Sequence, residues 1–123
     1  MAEEDLKSTI LDLITELSEN VFTKQNEKDD MTIIEFFFTK MSADSISAHV
    51  IKTILPHASK IMNRDTDYFL SNEGIFSGLS KDKIQYYGDI IRDPKRMTEE
   101  NRDIVWQYLD TILMIATSLK KTK

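Results

Sequence analysis

The chain has 123 residues, the size of one domain able to bury roughly 65% of the surface its unfolded form exposes. Its 41% hydrophobic content excludes the disordered class, while three Gly and two Pro are too few for the tight turns of a sandwich or barrel. The absence of Cys excludes disulfides and thiolate metal sites, and the net charge of −5 is concentrated in residues 1–30, whose nine acids against three lysines disfavour nucleic acid and anionic membrane.

Leu6, Ile10, Leu13, Leu17 and Val21 recur every three or four residues, with Ile14 widening the stripe. That spacing predicts an acidic amphipathic helix over residues 1–22, its first-turn acids suited to the positive end of the helix dipole. TKQNEKDD, residues 23–30, has no apolar side chain and reads as a solvated linker. Thr32 and Glu35 then form a capping-box pattern opening MTIIEFFFTKM, whose Ile33, Ile34, Phe36, Phe37, Phe38 and Met41 leave no polar face. Such a segment is expected at the centre of the fold. A helix fits it better, although a buried strand would carry the same residues over 31–38.

Ser42 with Asp44 starts a further helix bearing Ile46, His49, Val50, Thr53 and Ile54 along one side. Pro56 should kink or break it before HASKIMNRD, because the ring removes a backbone donor and biases Leu55 away from helical geometry. Residues 63–79 are rich in turn formers but hold Tyr68, Phe69, Leu70, Ile75, Phe76 and Leu79, as a short helical turn and packed loop would. Ser80 caps KDKIQYYGDII, with Ile84, Tyr87 and Ile91 on one side, and Asp93-Pro94 ends it. Thr98 with Glu99 and Glu100 opens a last helix running to about Leu119, with a basic tail over residues 120–123 at its negative end. The expected fold is all-α: a single-domain bundle of five or six helices whose core spans 31–119, with MTIIEFFF central and the first and last helices packed on it.

Motifs that carry chemistry are missing. His49 and His57 stand eight apart across a proline, without the spacing of a metal or catalytic pair. Asn63, Asp65 and Asp67 alternate like the first ligands of a calcium loop, but Tyr68 occupies the place that needs Gly and Gly74 the place that needs a bidentate Glu. Gly74, Gly78 and Gly88 form no phosphate-binding loop, and no Ser sits in a nucleophile elbow. Carboxylates at i, i+4, such as Asp89 with Asp93 and Glu99 with Asp103, normally remain solvated. Arg92, Lys95, Arg96 and Arg102 cluster around the turn at 92–102, but acids are interleaved with them, so exposed salt bridges account for them better than a nucleic-acid site. No catalytic residue, metal ligand or cofactor is assigned.

The terminal helix is apolar on more than one side. Val105, Leu109, Ile112 and Ala116 form one stripe, Ile104, Tyr108, Ile115 and Leu119 a second, and Trp106, Leu113 and Met114 turn toward a third. Either the helix is surrounded inside the bundle or one side meets another chain. Trp106, Tyr108, Leu113 and Met114 are therefore the candidate partner-binding residues.

RDTDYFL, then an apolar loop, KDKIQYYGDII and TEENRDIVWQYLDTILMIA follow one another in an order that resembles small helical proteins encoded by nucleocytoplasmic large DNA viruses. In those, an acidic Phe/Tyr-rich element precedes a helix of the type Ile-x-Trp-x-Tyr-Leu-x-Thr-Leu. The matching residues are Asp67, Tyr68, Phe69, Trp106, Tyr108, Leu109 and Thr111, with Val105 at an unconstrained position and Ile112 as a conservative departure. The resemblance covers about half the chain; it implies a viral origin and brings no catalytic residue.

The expected function is accordingly non-enzymatic: protein–protein interaction or a structural role, through a hydrophobic helix face, with a protein partner or self-association. The alternatives are a nucleic-acid-associated factor using the turn at 92–102, a metal- or ligand-responsive helical module using 63–74, and an enzyme of a class without a short motif. With no basic leader and no apolar run near ~18 residues, the chain is expected to be soluble and intracellular, in the host cytoplasm or virion if viral.

Overall fold

The computed structural model describes residues 2–64 and 80–122 of the chain. They form one all-α bundle of five longer helices and two short turns: α1 (Ala2–Asn20), α2 (Gln25–Lys40), α3 (Ala43–Thr53), a 3-10 turn (Leu55–His57), the five-residue α4 (Ala58–Met62), α5 (Lys81–Arg92) and α6 (Glu99–Thr122). The calcium-like alternation and the apolar anchors of 65–79, including Asp67, Tyr68 and Phe69, lie outside the described residues.

Local signals place several boundaries. The Ser42 hydroxyl accepts from Ser45 N–H at 3.1 Å and starts α3; the Ser80 hydroxyl accepts from Lys83 N–H at 3.2 Å and starts α5. The Thr98 hydroxyl does the same for Asn101 N–H at 3.2 Å, and α6 runs past the expected Leu119 to Thr122. Pro56 lies in the 3-10 turn that separates α3 from α4, the break its ring demands.

The centre of the bundle is α1. Its Leu6, Ile10 and Ile14 are buried, and α2, α3 and α6 all pack against it. Around that stripe lie Ile46 and Val50 of α3, Tyr87 and Ile90 of α5, and Ile112, Ala116 and Leu119 of α6. Val21 and Phe22, just past the end of α1, are also buried, with Phe22 meeting the Tyr87 ring edge-on at 4.8 Å.

Two expectations fail here. Residues 23–30 are not a linker: α2 begins at Gln25, and of the four residues that join it to α1, Val21 and Phe22 are buried in the core and only Thr23 and Lys24 are exposed. The Glu27 carboxylate accepts from Lys24 N–H at 3.2 Å, taking the capping part expected of Glu35. Thr32 lies mid-helix instead, its hydroxyl donating to the Lys28 carbonyl at 2.9 Å. The segment looked solvated because it has no apolar residue, yet Glu27 is fully buried, its charge met by groups far along the chain.

MTIIEFFF is helical, but it is not central. Met31 is buried and Ile34 and Phe38 are half-buried against the core, whereas Ile33, Phe36 and Phe37 are 66%, 63% and 60% exposed. The helix has two apolar stripes, and the small bundle covers one. α1, whose stripe is narrower but flanked on several sides, takes the centre.

Candidate functional site

Three features stand apart from the general core: a carboxylate cluster under α2, the enclosure of Trp106, and the apolar outer face of α2.

Glu27 and Asp30, one turn apart on α2, face α5 and the turn before α6. The Arg96 guanidinium and the Tyr86 hydroxyl donate to the two Glu27 carboxylate oxygens, and Arg96 also reaches the Val21 carbonyl at 3.1 Å. Asp30 accepts from Lys83 Nζ and from the Tyr87 hydroxyl, each at 2.6 Å. Burial alone would push the Glu27 carboxyl up; the hydrogen bonds from Tyr86, Arg96 and Lys24 N–H outweigh it and hold the group below the usual carboxylate range. Asp30 is lowered by its bonds from Lys83 and Tyr87 against a smaller effect of burial. The Tyr87 phenol is pushed up by burial and by Asp30, so it stays protonated and keeps donating. Each acid is satisfied by protein donors, which makes the cluster a clamp rather than acid–base machinery. It also takes Arg96 out of the basic turn, because that guanidinium points inward.

Trp106 is 8% exposed and packs with Ile61 and Leu113, bordered by Leu55, Ala58 and Leu109. The wall is built by the 3-10 turn and α4, neither of which the sequence marked as a neighbour of the last helix. Arg64 closes it from outside, with its guanidinium 5.2 Å from the indole centroid and a bidentate pair to Asp110 at 2.8 and 2.7 Å. Arg64 adopts φ 56°, the left-handed conformation that ends α4 and that costs a non-glycine residue on the order of 1 kcal/mol. Because the pair is nearly half exposed, it contributes less than about 1 kcal/mol. Arg64→Ala should therefore lower stability by about 1 kcal/mol, while Arg64→Gly, which loses the same pair but relieves the backbone, should stay within about 0.5 kcal/mol of the parent. Urea melts followed by Trp106 fluorescence measure both; equal losses would contradict the backbone assignment.

The four partner-binding candidates thus part company. Trp106 and Leu113 are enclosed by the chain itself; Tyr108 is half-buried, its phenol pushed up by burial and by Glu16 and Asp12 of α1. Met114 is 67% exposed and borders an open groove of about 470 Å³ with Met62, Ala58 and Leu113, flanked by Asp110 and Lys121. Asp110 in that groove is already bound to Arg64.

Elsewhere the carboxylates singled out from spacing serve local structure: Asp89 accepts from Gln85 at 3.0 Å and Asp93 from Lys95 N–H at 2.9 Å. His49 and His57 lie on different elements, and among the described residues no group of three or more His, Cys, Asp or Glu is placed to hold a metal ion. No described helix is long and apolar enough to cross a membrane.

The feature missed by sequence reasoning is the outer face of α2. Ile33, Phe36 and Phe37 stand at i, i+3 and i+4, on one side of the helix. Lys40 follows, with Nζ 5.3 Å from the Phe36 centroid. Both ends of the helix are tied down, the first by the Glu27 and Asp30 clamp and the last by Lys7, whose Nζ donates to the Thr39 and Met41 carbonyls at 3.1 and 2.9 Å. The signal was available as a second stripe beside Met31, Ile34 and Phe38.

No family model matches the chain, and no curated protein or solved structure matches it.

Proposed function

We propose that this chain is a non-enzymatic protein–protein interaction or structural protein, of the viral kind that its C-terminal half resembles, and that it acts through the Ile33–Phe36–Phe37 face of α2. One observation carries the reading: three large apolar side chains are more than half exposed on one side of a helix held at both ends. Covering them is favourable by roughly 1 to 2 kcal/mol per side chain, since more than half of each remains to be buried. A held helix also loses little freedom on docking, so more of that gain survives as affinity. Scattered apolar residues on a surface need no explanation, whereas a contiguous stripe of this kind is the usual mark of an interface.

The test compares the parent chain with Phe37→Asp, a change at an exposed position that leaves the core intact. A partner retained by the tagged parent from its native setting is purified and its affinity for both chains is measured by calorimetry. At least tenfold weaker binding to the variant is the expected result. Equal binding would move the interaction to another face and overturn this reading.

A further inference from the structure

Resting on that reading, we infer that the occupant of the α2 face is α2 of a second copy, laid antiparallel across a twofold axis midway between Ile34 and Glu35. On a helix of 3.6 residues per turn, Asp29, Ile33, Phe36, Phe37 and Lys40 fall within an arc of about 100°. The face has an acid at one end and a base at the other, about 16 Å apart along the axis, with the apolar residues between them. Antiparallel pairing that sets Ile33 opposite Phe36 of the second copy also sets Asp29 opposite Lys40, because both pairs share one midpoint. Phe37 then lies beside Ile33 of the second copy, about 1.5 Å off level along the axis. A twofold contact needs a surface complementary to itself, and this arrangement of charges supplies it. Parallel pairing would oppose like charges at each end and align the helix dipoles unfavourably.

Neither charged group is committed elsewhere in a way that prevents the contact. Asp29 is exposed and accepts from Gln25, its neighbour one turn back, at 2.8 Å, leaving a second carboxylate oxygen available. Lys40 lies over Phe36 on the face itself. The other charges on α2 are excluded from the seam: Glu35 points to the opposite side, Lys28 donates to the Ser18 carbonyl at 2.8 Å, and Glu27 and Asp30 belong to the clamp.

The three apolar side chains expose roughly 400 Å² per copy, about half of the ~800 Å² that each side of a standard interface buries. A rigid, charge-matched seam of that size makes a dimer with a dissociation constant of about 1 to 100 μM rather than an obligate one.

Sedimentation equilibrium from 1 μM to 1 mM at low salt reads the dimer directly. Phe37→Asp should raise the dissociation constant at least tenfold. Asp29→Lys alone should raise it about fivefold, through two repelling pairs across the axis, and the double variant Asp29→Lys, Lys40→Asp should return it to within about twofold of the parent. Circular dichroism checks that each variant keeps its helix. A chain that stays monomeric at 1 mM overturns the inference, and so does a dimer indifferent to Phe37→Asp. A dimer broken by Phe37→Asp but not restored by the charge exchange overturns the antiparallel register. If the parent is monomeric yet Phe37→Asp weakens a different purified protein partner, the self-pairing falls while the interaction reading stands; if neither contact responds, both fall.

Discussion

Replacing Arg96 with Met should destabilise the protein by about 3 kcal/mol, more than any comparable change at a surface arginine. Glu27 is fully buried, and Arg96, 23% exposed, is its only cationic partner among the described residues. Removing the guanidinium leaves a carboxylate out of water with Tyr86 and the Lys24 amide as its remaining donors. Breaking a buried pair from one side costs about 3 to 5 kcal/mol, and partial water access at Arg96 puts this case at the low end. Glu27→Gln should cost less, about 1 to 2 kcal/mol, because the arginine keeps the Val21 carbonyl and reaches solvent. The double variant should cost less than the two single losses together, as required of groups that neutralise one another. Urea denaturation at pH 7 measures all three, and additive losses would refute the clamp.

The pH profile follows from the same cluster. Glu27 and Asp30 are held below their ordinary values of 4.5 and 3.8, so the unfolded chain binds protons more readily than the folded one. Their contribution is fully present above about pH 4.5 and is lost as pH falls through the lowered folded values. In Arg96→Met the hydrogen bond and the charge that help hold Glu27 down are gone, so the folded carboxyl rises relative to the parent, the acid-side slope flattens, and the loss relative to the parent shrinks on acidification. Melts between pH 3 and pH 7 distinguish the two slopes.

Leu6→Ala should cost about 3 kcal/mol and lower the melting temperature by roughly 10 to 15 °C. Leu6 is fully buried on α1, the helix against which α2, α3 and α6 pack, so the space it leaves is walled by several rigid elements and collapses poorly. Phe37→Ala removes a larger side chain but should change monomer stability by less than about 0.5 kcal/mol, because 60% of it is already in water. Scanning calorimetry at concentrations below self-association compares the two. A large loss at Phe37 would mean that its face is covered within a single chain.

That contrast also marks how far the sequence could be read. Ser42, Ser80 and Thr98 announce helix starts because a cap is a contact three residues long, and Pro56 announces a break because its ring acts on its own turn. The first helix was visible because one apolar stripe with acids between has a single reasonable packing. The candidate face was only half legible. MTIIEFFF and RDIVWQYLDTILMIA both carry more apolar surface than one contact needs, and the excess of each suggested a central or shared helix. The excess on α6 is taken up in part by α4 and the 3-10 turn, which enclose Trp106 and Leu113 and leave Met114 exposed; the excess on α2 is left outside.

By itself, then, the amino-acid sequence determined helical content, most of the helix starts and the break at Pro56, all properties set by interactions within a turn or two. Only the tertiary structure decided which stripe is covered, that α1 rather than α2 is the centre, and that Glu27 is buried while Phe36 is not. Local periodicity states that a face is apolar but carries no record of what meets it. The partner of Glu27 lies 69 residues away at Arg96 and that of Trp106 lies 42 residues away at Arg64. Separations of that size are closed by packing alone, so the same residue types give a core in one place and an open face in another.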